Sequence, residues 1–137
     1  MSDPRLLVNP ETGEEVTVLS EGPDVLVLET LWPHAGHRAL PHVHPKLEER
    51  FEVLEGAARF AIGGGAPFVA GPGETVVVPP GTVHLASNAA DGATRVRIEF
   101  RPPGRWLEVV ERLFAGEASR TLLRDFPDDL AAPPAGG

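Results

Sequence analysis

Five histidines and no cysteine define what metal or proton chemistry this 137-residue chain can carry. Without thiols, disulfides and thiolate metal sites are both excluded, so any ligand set must come from imidazoles and carboxylates. His42 and His44 are separated by one residue. On extended backbone, residues i and i+2 project to the same side, so two imidazoles leave one short segment together, as a metal requires. A His-x-His pair alone is a common accident. The next segment sharpens it: Glu49, Phe51 and Val53 share one strand face, and the two apolar residues mark that face as interior. Glu49 therefore points inward, where a carboxylate is costly unless it is paired or coordinates a metal. Neighbouring strand residues face opposite sides, which puts Glu48 outside with Arg50, Glu52 and Leu54 as a solvated carboxylate near Arg50 or Lys46. His84 follows Pro79-Pro80-Gly81, where a chain leaving a buried strand turns back toward the interior.

Other residues of chemical interest receive plainer readings. His34 and His37 lie in a Pro- and Gly-rich loop and read as solvated; Arg38 beside them either meets an anionic substrate at the mouth of the interior or sits on the surface. Lys46 is the only lysine, so a Schiff-base mechanism would have to rest on it. Gly63-Gly64-Gly65 reads as a turn, because no strand and helix flank it as a phosphate cradle needs. Phe51, Phe60 and Phe68 read as core, and Trp106 as packing.

Positioning these side chains falls to short elements. Fifteen glycines and fifteen prolines are too many for a helical bundle and suit short strands with tight turns. Apolar, β-branched segments predict strands at 16–19, 25–32, 49–54, 57–62, 68–70, 75–78 and 94–100, with a hairpin across Glu55-Gly56. In the last segment Val96, Ile98 and Phe100 alternate with Arg95, Arg97 and Glu99, the pattern of a half-buried strand. After Pro102-Pro103-Gly104 the period changes: Trp106, Leu107, Val110, Leu113 and Phe114 recur at helical spacing, and Gly116 suits the helix end. A second helical turn is expected over 119–124. This divides the chain into a barrel with N-terminal strands at 1–104, a helical segment packed on it at 105–126, and a loose tail rich in Pro, Ala, Gly and Asp at 127–137.

The spacing of the ligand candidates forms two motifs. The first runs Gly36, five residues, His42-Val43-His44, four residues, Glu49, six residues, Gly56. The second runs Gly73, five residues, Pro79-Pro80-Gly81, two residues, His84, three residues, Asn88. In both, the chain resembles the cupin family, over 36–88 by motif and about 16–100 by strand pattern. The resemblance implies an all-β fold, a double-stranded β-helix or jelly-roll barrel of the compact one-barrel kind, here with a C-terminal α-helix. It further implies one divalent transition metal held by His42, His44, Glu49 and His84. Three imidazoles and a carboxylate suit Fe, Mn, Ni, Zn or Cu and not Ca or Mg. Four protein ligands on an octahedral ion leave two positions for water or substrate, which argues for chemistry or ligand capture over a closed structural site.

Partners follow from charge. A net charge of −8 argues against nucleic acid or an anionic membrane, since both select a cationic face. No apolar run is long enough for a bilayer and Met1-Ser2-Asp3-Pro4-Arg5 does not start a signal peptide, so a cytoplasmic protein is expected. A homodimer is expected, with Leu6, Leu7 and Val8 as an apolar stub that adds to a partner's sheet edge or else covers its own barrel. The expected ligand is a small molecule. The leading functional expectation is a metal-dependent dioxygenase-type enzyme acting on it. The alternatives are Lewis-acid isomerase, cyclase or lyase chemistry, and a non-enzymatic sensor or carrier.

Overall fold

The computed structural model describes residues 5–36 and 40–134. Alternating apolar and polar side chains become nine strands among these residues: β1 Arg5–Val8, β2 Glu15–Glu21, β3 Leu26–Trp32, β4 Glu48–Glu55, β5 Ala58–Ile62, β6 Phe68–Ala70, β7 Thr75–Val78, β8 His84–Asn88 and β9 Thr94–Arg101. They pair antiparallel throughout, in a six-stranded sheet of order β1-β2-β3-β9-β4-β7 and a three-stranded sheet of order β6-β5-β8. The two sheets enclose one core, a double-stranded β-helix. Its inward set follows the period of two along each strand: Leu26 and Leu28 on β3, Phe51 and Val53 on β4, and Val96, Ile98 and Phe100 on β9 are all buried. Burial along β4 also puts Glu49 inside and Arg50 outside.

Glu55-Gly56 is not a hairpin. β4 pairs with β9 and β7, whereas β5 pairs with β6 and β8, so the chain changes sheets at this point. Gly56 has φ +86°, and a Cβ there would run into Thr94 Oγ1 and stand 2.9 Å from the Ala93 carbonyl oxygen. The corner is locked from the other side by Asn88, whose amide donates to the carbonyls of Trp32, His34 and Gly92 and whose Oδ1 accepts from the Ala90 N–H and the Thr94 hydroxyl. The last residue of the second motif is thus a structural hub.

One expectation about an apolar residue changes, and one of two alternatives for the N-terminal stub is seen. Phe68 stands on the short edge strand β6 and is 43% exposed, stacking one ring face on Phe60 instead of entering the core. The stub at Leu6, Leu7 and Val8 is β1, paired with β2 of its own chain at the edge of the large sheet, with Leu6 and Val8 exposed.

Beyond the barrel, α1 (Trp106–Phe114) buries Leu107, Val109, Val110 and Phe114. It ends at Gly116, φ +98°, where the Gly116 and Glu117 N–H groups return to the Leu113 and Arg112 carbonyls. α2 (Ser119–Asp125) packs on it through a second small core of Val109, Leu122 and Phe126. No helix among the described residues is long and apolar enough to cross a membrane. The segment expected to hang loose from 127 is fastened as far as Ala131, which exchanges two 2.9 Å backbone hydrogen bonds with Val43, while the Asp129 side chain is buried. Composition conceals this, because the fastening is made by backbone groups and by Phe126 and Leu130, which anchor in the small core.

Candidate metal centre

His42 and His44 belong to no long strand, yet they obey strand geometry because backbone pairing grips their segment on both sides. His42 exchanges hydrogen bonds of 3.1 and 3.0 Å with His84, the first residue of β8, and Val43 does so with Ala131 on the opposite edge. Glu49 comes from the start of β4. The result brings all four expected ligands together: one donor atom from each of His42, His44, Glu49 and His84 lies within 4.8 Å of the others. His44, Glu49 and His84 are buried.

Each imidazole is oriented by its far nitrogen. His42 Nδ1 lies 2.7 Å from the Leu40 carbonyl, His44 Nδ1 2.9 Å from that of Asp129, and His84 Nδ1 3.1 Å from that of Thr82. A carbonyl only accepts, so this network assigns the proton to Nδ1 in all three rings and turns Nε2 toward the centre. There, Glu49 Oε1 stands 3.0 Å from His44 Nε2 and 2.9 Å from His84 Nε2. Lone pairs of neutral rings facing a carboxylate repel it, so the cluster is satisfied only by positive charge placed among them: an added proton or a metal. His44 Nε2 is close to Glu49 but lacks the alignment of a hydrogen bond, and is left as an orphaned buried nitrogen. That orphan, the Nδ1 anchors and the N₃O donor set all fit a transition metal.

Electrostatics give the same picture. Burial opposes charge on Glu49, but the adjacent imidazoles of His44 and His84 outweigh it and hold the carboxyl at about 2. His42 is lowered to about 4 by burial and by the neighbouring His84 and His44. For His44 burial also works against the cation, but Glu49 prevails and raises its pKa above the ordinary 6.5. A proton held on His44 is therefore one that a metal has to displace. Metal affinity is expected to be level at high pH and to fall as pH drops through the raised His44 value. His42 competes only toward pH 4 and Glu49 lower still. Dissociation constants measured from pH 8 to 5 check this; an affinity independent of pH over that range would contradict it.

A cavity of about 450 Å³ adjoins the cluster, bordered by His42, Glu49 and His84 and otherwise walled mainly by apolar side chains including Phe51, Ile98, Phe100 and Trp106. Trp106, expected to serve packing alone, stands with its ring edge-on to His44 at 4.5 Å and also borders the cavity. Glu14 reaches the cavity wall, accepting a 3.2 Å hydrogen bond from Trp32 Nε1. Neither residue carries a signal in the sequence, since both are delivered by packing of distant segments. Among the described residues lining the cavity, none is Lys or Arg. Lys46 is on the surface, 3.1 Å from Asp128, and His34 is exposed as expected. Glu48 stands across from Arg101 on the outer face of β4. His37 and Arg38 lie outside the described residues.

Comparison with known proteins bears on the same region. The cupin domain family matches residues 27–100. No curated protein sequence matches the chain. Among solved structures, KdgF from Halomonas sp. superposes with a TM-score of 0.63 at 23% identity, over 74% of this chain and 88% of that one. An uncharacterised protein with a double-stranded β-helix domain from Klebsiella pneumoniae does so at 0.60 and 27% identity, over 70% and 84%. The DMSP lyase DddQ from Ruegeria pomeroyi is 29% identical with a TM-score of 0.52, over 58% of this chain and 39% of that one.

Proposed function

This chain belongs to the cupin family, and from that premise we propose that it is a metal-dependent enzyme of the oxygenase type, acting on a small and predominantly apolar organic molecule. His42, His44, Glu49 and His84 would hold one divalent transition metal, Fe, Mn, Ni, Zn or Cu. When bound, such an ion supplies Lewis acidity and, if redox-active, one-electron chemistry. The observation that carries the reading is the cavity: it borders three of the four ligands and is otherwise largely apolar, so a substrate enters beside the metal. Glu49 contributes the single negative charge among the ligands. The Nδ1–carbonyl bonds fix the rings and raise the basicity of Nε2. Phe51, Phe100 and Trp106 contact the organic body of the substrate and keep water from it. With no Lys or Arg on the described lining, a carboxylate or phosphate remote from the metal finds no counter-charge, which favours an uncharged substrate body.

A second reading, lyase or isomerase chemistry without net oxidation, is favoured by the 29% identity with DMSP lyase DddQ. A sensor or carrier would use the same residues for binding without turnover. Oxygen consumption by the Fe(II)-loaded protein, across a panel of phenolic, thiol and diketone compounds, separates these readings. Uptake with at least one compound is the expected result. Turnover that persists without oxygen transfers the assignment to the second reading, and binding without turnover to the third.

A further inference from the structure

The three imidazoles are not anchored alike. His42 and His84 each find their Nδ1 acceptor two residues away, at Leu40 and Thr82, so their own loops set their orientation. His44 depends on a carbonyl 85 positions along the chain, that of Asp129. That carbonyl lies beyond the region matched by the cupin domain family, which stops at residue 100. The segment that holds it has an anchor of its own: Asp129 Oδ1 accepts the Arg105 N–H at 2.9 Å, just before α1. Gly104 makes this approach possible, because a Cβ at that position would collide with the Asp129 carboxylate, and its φ of +53° already disfavours a side chain. Upstream, Phe126 is fully buried, and its carbonyl accepts the Asp129 and Leu130 N–H groups. Downstream, Ala131 pairs with Val43, the residue between two of the ligands.

We propose that residues 126–131 form a positioning strap, with Asp129 its latch, that sets the metal affinity of a site whose four ligands all lie outside it. The proposal rests on the metal-binding reading above. Because the strap supplies none of the ligands and no strand of either sheet, releasing it leaves the barrel intact and frees His44 to rotate off the centre.

The test uses the full-length protein loaded with Co(II), whose dissociation constant is read by chelator competition and whose coordination is read from its visible absorption. Wild type is expected to bind one Co(II). Gly104→Ala and Asp129→Ala are expected to weaken binding by roughly tenfold to a hundredfold, the usual consequence of losing the partner that orients a ligand, and to change the Co(II) spectrum. Asp129→Asn keeps an oxygen for the Arg105 N–H and is expected to restore affinity and spectrum. Should the first two variants fail to fold, Ala131→Pro removes the N–H donated to Val43 and fixes the backbone φ there, and is expected to weaken binding likewise. Variants with a lowered melting temperature in the metal-free form but unchanged Co(II) affinity and spectrum would overturn the strap and leave a merely structural tail. Failure of wild type itself to bind Co(II) would instead overturn the metal reading, and the strap with it.

Discussion

Glu49→Gln is expected to remove metal binding from the purified protein, with the dissociation constant raised a hundredfold or more, while Glu48→Gln leaves it nearly unchanged. The two side chains are adjacent, but β4 places them on opposite faces. Glu49 pairs across the sheet with Val78 and Phe100, and its Oε1 stands within 3.0 Å of two imidazole nitrogens. Its carboxylate is the only negative charge among the four ligand side chains. The amide of Gln has similar size but no charge, and it can turn an N–H₂ toward nitrogens that need a cation. Loss of a group that merely orients a ligand costs about tenfold to a hundredfold in metal affinity, so loss of the charged ligand itself exceeds that. Glu48, across from Arg101 on the outer face, takes part in at most a surface ion pair. Elemental analysis of the two variants together with chelator competition gives the answer. The reverse pattern would be incompatible with the register Glu49↔Phe100 and would expel Phe51 and Val53 from the core along with Glu49.

Removal of the metal is expected to lower the melting temperature by roughly 10 °C, and Mn, Fe, Ni or Zn to restore it. An ion that binds the folded barrel and not the open chain adds about 4 kcal/mol when present at a thousand times its dissociation constant. In a chain of this length each kcal/mol is worth about 3 °C. Coupling is strong here because the ligands come from three separate pieces of chain: the segment at His42 and His44, the start of β4 and the start of β8. The open chain holds them apart, so the metal binds only the folded state. Calorimetry with and without chelator measures the effect. An unchanged melting temperature, together with the absence of metal in the purified protein by elemental analysis, would contradict it.

The cluster of candidate ligands was legible in the sequence because each of its determinants is local. His42 and His44 share a side by the two-residue period of extended backbone, Glu49 is tied to Phe51 and Val53 by the same period, and Pro79 and Gly81 mark the turn that returns His84. The inward faces of β4 and β9, the helix at 106–114 and its glycine stop were legible for the same reason. Turn chemistry is local too, and that is its limit. Gly56 announces a change of direction, but which strand β5 joins next depends on β6 and β8, and the corner is closed by Thr94 and Asn88.

What only the tertiary structure decided is everything held by contacts between segments far apart in the chain. Phe68 was apolar enough for the core but fell on an edge strand. The helix at 106–114 was foreseen, yet not that it would set Trp106 against His44 and the cavity. Residues 127–131, polar and rich in turn formers, gave no sign that their backbone would orient a ligand. Periodicity and spacing describe how neighbours along the chain share a face. They are silent on the hydrogen bond between His44 and the Asp129 carbonyl, because a carbonyl is common to all residues and only packing chooses which one a distant side chain meets.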